Sequence, residues 1–168
     1  MERTLVEEVM TSPVVTAGVT MPLRHLMALL YASGIGAVPV TDPERRVLGL
    51  VSHADLIFKA GGLLAAPAGP RLQSGRRQRR KAAARTAGEL MTAPAVTVPP
   101  AATVEQAARL MIHHRIGRLP VRDPLTGRLA GIVTRSDLCA STCARVMKSG
   151  PRSRPRCSAQ HLARTLAR

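Results

Sequence analysis

Two short stretches combine a glycine, a hydroxyl and a carboxylate at one spacing: Gly49-Leu-Val-Ser52-His-Ala-Asp55 and Gly131-Ile-Val-Thr134-Arg-Ser-Asp137. A hydroxyl followed three residues later by an acid is first of all a helix start. The hydroxyl oxygen accepts a backbone N–H, and the acid lies near the positive end of the helix dipole. The same geometry has a second use. A helix N-terminus offers free N–H groups to a phosphate, and a carboxylate three residues on can accept both hydroxyls of a ribose. Capping alone accounts for both stretches, so any chemistry depends on what is placed around them. Gly131 also admits two readings: a ligand or backbone approaching too closely for a Cβ, or relief of strand twist.

The elements that position these residues occur twice. Ile35 to Leu56 (IGAVPVTDPERRVLGLVSHADL) is echoed by Ile116 to Leu138 (IGRLPVRDPLTGRLAGIVTRSDL), and EVMTSPVVT at Glu8 to Thr16 is echoed by ELMTAPAVT at Glu89 to Thr97. The offset is 81 residues at Ile35/Ile116 and 82 at Asp55/Asp137, because the second loop is one residue longer. In each copy the pattern predicts a short strand (Val14 to Thr16; Ala95 to Val98), an amphipathic helix and a two-stranded hairpin turning at Asp-Pro. A capping helix follows, from His53 to about Lys59 in the first copy. The first amphipathic helix starts with Pro22 in its first turn and buries Leu23, Leu26, Met27 and Leu30. The second starts at the capping box Thr103-x-x-Gln106 and buries Val104, Ala107, Ala108 and Met111.

The order Met-Thr-x-x-x-Val-Thr, amphipathic helix, Ile-Gly-x-x-Pro-Val, strand, Gly-x-Val-[Ser/Thr]-x-x-Asp-Leu resembles the CBS domain. Two such units in tandem resemble a Bateman module, as in stand-alone CBS-pair proteins of high-GC bacteria; the likeness covers residues 5–60 and 86–141. It implies an α+β fold of two β-α-β-β-α repeats packed about a pseudo-two-fold axis. The expected layout is a first repeat at 1–60, a basic mobile linker at 61–86, a second repeat at 87–142 and a basic disordered tail at 143–168.

The resemblance further implies a regulatory module, not an enzyme, that senses AMP, ADP, ATP or S-adenosylmethionine in the cleft between the repeats. Carried over residue by residue, Asp55 and Asp137 contact the ribose, while Ser52 and Thr134 lie by the phosphate behind Gly49 and Gly131. The adenine pocket is expected to be lined by Thr11, Val15, Ala37 and Pro39 in one copy, and by Thr92, Val96, Arg118 and Pro120 in the other. Many relatives carry arginine immediately before the aspartate; Ala54 and Ser136 stand there in this chain, with His53 and Arg135 as partial substitutes. A charge-assisted contact contributes roughly 1.5–3 kcal/mol, so its loss disfavours di- and triphosphates. Arg118 and Arg135 make the second site the stronger of the two. Such modules commonly form homodimers through their helices, for which Ala107, Ala108 and Met111 offer a small-residue face, and they regulate an enzyme or transporter in trans. A ligand-free interaction module is the alternative.

Composition narrows the remaining classes. The formal charge is +15, yet residues 61–86 carry seven Lys or Arg and 141–168 carry seven more, neither with an acid. The rest holds 11 basic and 10 acidic residues, so the repeats are almost neutral. Nucleic-acid binding through the basic blocks is expected to be weak and non-specific, because Tyr31 and Phe58 are the only aromatics and neither block has a stacking platform. The acidic start MERTLVEEVM and the lack of an apolar run near 18 residues predict a cytoplasmic chain with no membrane span. Cys139, Cys143 and Cys157 lack a fourth ligand for zinc and read as reduced thiols, and adjacent His113 and His114 point apart. No nucleophile triad or phosphate-binding Gly-x-x-x-x-Gly-Lys loop is present.

Overall fold

Each amphipathic helix carries a narrow apolar stripe that must be covered by a sheet, and this requirement sets the layout of both copies. The computed structural model describes residues 3–62 and 81–149. The first copy runs α1 (Val6–Val9), β1 (Ala17–Gly18), α2 (Leu23–Ala32), β2 (Ala37–Thr41), β3 (Val47–Ser52) and α3 (His53–Gly62). The second runs α4 (Ala87–Leu90), α5 (Val104–His114), β4 (Arg118–Arg122), β5 (Leu129–Thr134) and α6 (Arg135–Ser149). β1 pairs parallel with β2, which pairs antiparallel with β3. β4 and β5 form the matching antiparallel hairpin. A single parallel bridge from Val98 to Val121 stands where β1 stands in the first copy. The expected β-α-β-β-α unit is therefore present twice.

Several boundaries differ from expectation. The first strand is Ala17–Gly18, not Val14 to Thr16, and Ala95 to Val98 shortens to the bridge at Val98. The upstream residues turn aside instead: Thr11 and Thr92 make isolated bridges to the opposite copy. Pro22 is the N-cap of α2, one residue ahead of its first turn. Met27 is 51% exposed, because only the Leu26/Leu30 edge of α2 faces the core. Within the span assigned to the linker, residues 81–83 are helical and Ala84 is buried in the core of the first copy. Within the assigned tail, α6 continues to Ser149, with the Ser141 and Thr142 hydroxyls donating back to the Leu138 carbonyl at 3.0 and 2.8 Å. The remainder of the expected mobile segments, 63–80 and 150–168, lies outside the described residues.

Contacts between the copies come in pairs related by the repeat offset. Leu5 bridges Thr103 while Pro22 bridges Thr86, and Thr11 bridges Ile132 while Leu50 bridges Thr92. Arg46 bridges its own counterpart, Arg128, and so lies at the pseudo-two-fold axis. The left-handed positions obey the same relation. Gly34 (φ 61°) matches Arg115 (φ 54°), and Arg45 (φ 63°) matches Gly127 (φ 71°). Each copy thus has glycine at one of two positions that favour it and arginine at the other. In the second hairpin turn Asp123 accepts the Thr126 and Leu125 backbone N–H groups at 2.9 and 2.8 Å, which hold its carboxyl below the usual range.

The cores are exchanged between the copies. One cluster joins Leu26, Leu30, Val38, Val40 and Val51 of the first copy to Ala84, Ala87 and Leu90 from the entry to the second. The other joins Val104, Ala107, Met111, Leu119, Val121 and Val133 to Val6 from the start of the first. Backbone hydrogen bonds lock both exchanges: Val6 N–H to Ala102 at 2.8 Å, and Ala87 N–H to Met21 at 2.9 Å. Ala107 and Met111 are thereby buried within the chain, so this is not the face that two copies of the chain would share.

Local sequence explains why α5 begins where it does. Thr103 Oγ1 accepts the Gln106 N–H at 3.2 Å, and Gln106 Oε1 accepts the Thr103 N–H at 2.9 Å. Pro22 gives α2 no such side-chain cap. Thr103→Ala is expected to cost about 1 kcal/mol, read as a lowered urea midpoint. An unchanged midpoint would show that packing alone holds α5.

Candidate functional site

β3 ends at Ser52 and α3 begins at once, so Ser52 and Asp55 meet across the first helical turn. The Ser52 backbone N–H and hydroxyl donate to Asp55 Oδ2 at 2.8 and 2.9 Å. Asp55 Oδ1 is engaged by Lys81, whose ammonium also donates to Thr92 Oγ1 at 2.8 Å. The Lys81 and Asp55 side chains are only 13% and 10% exposed. Thr92 arrives from the opposite copy, fixed by hydrogen bonds with Leu50 in both directions at 2.9 and 3.1 Å.

The second site repeats this plan with one omission. The Thr134 N–H and hydroxyl donate to Asp137 Oδ2, both at 2.8 Å, and the Asp137 N–H returns to Thr134 Oγ1 at 3.4 Å. Thr11 pairs with Ile132 in both directions at 2.9 and 3.1 Å, as Thr92 pairs with Leu50. Among the described residues no cation pairs with Asp137. Asp137 is half-buried, whereas Asp55 is buried.

Thr134 lines a cavity of about 240 Å³ whose apolar wall is Val14, Val15, Ile35, Ala37 and Ile132. Thr11 and Arg118 add polar edges to it. Arg118 reaches back across the interface, and its guanidinium fills the space that a Cβ on Gly36 would need. Arg135 lies against Gly117, with Nη2 donating to the Ile116 carbonyl at 3.1 Å. Ligand clefts commonly span roughly 300–1,000 Å³, so this cavity suits one flat, largely apolar ring with its polar substituents outside. A larger, shallow groove of about 550 Å³ along α5, between Val98 and His113, contains none of the expected site residues.

The expected grouping by copy is thus redistributed. Thr11, Val15 and Ala37 belong with Arg118 and Thr134, while Thr92 belongs with Ser52 and Asp55. Pro39 and Pro120 are buried within β2 and β4, and Val96 packs on the core of the second copy. Gly49 and Gly131 make room for methionine: a Cβ on Gly49 would meet Met91 Sδ at 2.5 Å, and one on Gly131 would overlap Met10. The close-approach reading of Gly131 therefore applies, with a side chain of the other copy doing the approaching. Sequence reasoning missed Lys81 outright. Its sole signal was a lysine closing a run of arginines.

Among the described residues no three His, Cys, Asp or Glu side chains cluster to hold a metal, and no helix is long and apolar enough to cross a membrane. Residues 6–62 and 87–141 match the CBS domain family. A CBS domain-containing protein of Dictyostelium discoideum is 31% identical over 137 residues, spanning 81% of this chain and 89% of that one. CBSX2 of Arabidopsis thaliana, solved in complex with AMP, superposes with a TM-score of 0.73 at 24% identity, covering 84% of this chain and 97% of that one. The CBS domain pair of protein MJ0100, solved with 5′-methylthioadenosine and S-adenosyl-L-methionine, gives 0.67 at 23% identity, with 86% and 99% covered. At such identities the structures speak for the fold. CBS-domain proteins of this structural class are typically non-catalytic regulatory modules. With both repeats matched and paired, the chain belongs to the CBS-domain family as a tandem, Bateman-type pair.

Proposed function

We propose that the chain is a non-catalytic sensor that binds an adenosine nucleotide at its second site. The carrying observation is the Asp137 carboxylate, which no cation among the described residues pairs and which Thr134 orients beside an apolar cavity to which both copies contribute. In this reading the adenine enters between Val15, Ala37 and Ile132, and the ribose hydroxyls donate to Asp137. The phosphate faces Thr134 and the start of α6. Arg118 and Arg135 supply the cations nearby. The complexes of CBSX2 with AMP and of MJ0100 with adenosine-containing ligands support the ligand class. Ser136 stands where the family resemblance implies arginine in many members, so AMP ranks above ADP and ATP. S-adenosylmethionine, a cation without phosphate, is the competing ligand.

The output is regulation in trans of an enzyme or transporter in the cytoplasm, or pairing with a second copy of the chain. Met27 and Tyr31 on α2 and Ile112 on α5 are 51, 91 and 78% exposed and offer apolar contacts for either. Those exposed side chains also favour the second reading, an interaction module that binds no ligand. Calorimetric titration of the full chain with AMP, ADP, ATP and S-adenosylmethionine separates the two. Saturable heat with at least one of them, AMP foremost, is expected. Neither heat nor thermal shift with any of the four at millimolar concentration would leave the ligand-free module as the function.

A further inference from the structure

We propose that Lys81 is the resident cation of the first site, occupying the place a ribose would take and limiting the module to one nucleotide per chain. The inference rests on the sensor reading and goes beyond it, because the two sites are built alike up to this residue. Ser52 and Asp55 repeat the geometry of Thr134 and Asp137 almost distance for distance. The difference lies on the other carboxylate oxygen. Asp55 Oδ1 is engaged by Lys81, which also donates to Thr92 Oγ1, the hydroxyl delivered from the opposite copy.

Three features make this a built contact. Both side chains are nearly nine-tenths buried, so the charges compensate each other out of water. The chain carrying the lysine is pinned as well: Lys59, on α3, donates from Nζ to the Ala82 and Ala84 carbonyls at 2.9 and 2.5 Å. Ala84 is itself 2% exposed and anchored in the core of the first copy. In the second copy Ser141 stands at the position of Lys59, and among the described residues no lysine reaches Asp137. A ribose diol needs the oxygen that Lys81 holds and would have to displace a buried ion pair to reach it. The first site is therefore closed by the chain itself. Its opening is tied to the segment joining the copies, so a partner that draws residues 81–84 away would create a second nucleotide site.

The test compares the full wild-type chain with Lys81→Met, which keeps the apolar stem and removes the charge. AMP titration should give one site per wild-type chain and two per variant chain, the added site vanishing in Lys81→Met/Asp55→Ala. Two sites in the wild type, or one in a folded Lys81→Met, would overturn the inference and leave the sensor reading standing. No AMP binding to either form would remove both. Acetylation footprinting supplies a measurement that needs no variant, since the chain has only three lysines, Lys59, Lys81 and Lys148. Lys81 should react at least about tenfold more slowly in the native chain than in urea, with saturating AMP leaving it protected. Native reactivity equal to the unfolded rate, or AMP exposing Lys81, would refute the closed site directly.

Discussion

Asp137→Ala is expected to weaken AMP binding tenfold to a hundredfold in Kd, about 1.5–3 kcal/mol, while the chain stays folded. The substitution deletes the acceptor proposed for the ribose but leaves Thr134 Oγ1 able to take the N–H of residue 137, as it already does at 3.4 Å. The fold should lose only about 0.5–1 kcal/mol, the worth of one carboxylate in a first helical turn. Asp55→Ala should give the reverse pattern. It leaves AMP affinity unchanged and lowers stability, because Lys81 is stranded with only Thr92 to accept from it. Such a loss comes to roughly 1–3 kcal/mol once the freed lysine swings toward water. Titration and urea unfolding of the two variants side by side read out both axes. AMP affinity unmoved in a folded Asp137→Ala would reduce the second Thr-x-x-Asp to a helix cap. Equal losses of affinity in the two variants would mean that the sites do not differ.

How far the site could be read beforehand depended on the range of each interaction. Thr134 to Asp137 and Thr103 to Gln106 are three residues apart, and residue types at that spacing are enough to forecast the hydrogen bonds. The contact between Lys81 and Asp55 spans 26 residues and starts in a stretch whose composition resembles solvated chain. Nothing local distinguishes Lys81 from the arginines before it. Thr11, Val15 and Ala37, grouped by sequence within the first copy, line a cavity with Ile132 and Thr134 of the second for a different reason. A repeat shows which residues correspond, but it does not show which copy a segment packs on. The entry segments swap partners, so Thr11 serves Ile132 and Thr92 serves Leu50.

The fold was legible for the same reason that this one detail was hidden. Short apolar runs in β2 and β4, alternating burial in β3 and β5, and the Leu26/Leu30 and Val104/Ala107/Met111 stripes specify sheet and helix faces without reference to the partner copy. Met27 shows where the pattern overshoots. Helical spacing places it beside Leu26 and Leu30, but no element among the described residues covers that edge of α2. Met10 and Met91, by contrast, lie against Gly131 and Gly49, where the missing Cβ leaves room for a flexible thioether.

The exchange of entry segments carries the largest stability effect. Leu90→Ala should destabilise the whole chain by about 2–5 kcal/mol, although Leu90 belongs by sequence to the second copy and packs in the core of the first. It is fully buried among Leu26, Leu30 and Val51, so its loss opens a cavity that the β-strands around it cannot collapse to fill. Val6→Ala is the mirror experiment, with a smaller loss because fewer methyl groups leave the second core. Since each core contains a piece of the other copy, neither can unfold while its neighbour keeps all of its own packing. Urea unfolding followed by hydrogen exchange of peptides from both copies should show one shared transition, shifted as a unit by either variant. Leu90→Ala that loosens only the first copy, with β4 and β5 keeping full protection, would show that the exchanged segments decorate two independent cores instead of joining them. The single transition is what a sensor of this construction needs. In the proposed sensor, a ligand held between Val15 of one copy and Thr134 of the other would act on both cores at once, and its binding energy would stabilise the pair as one body.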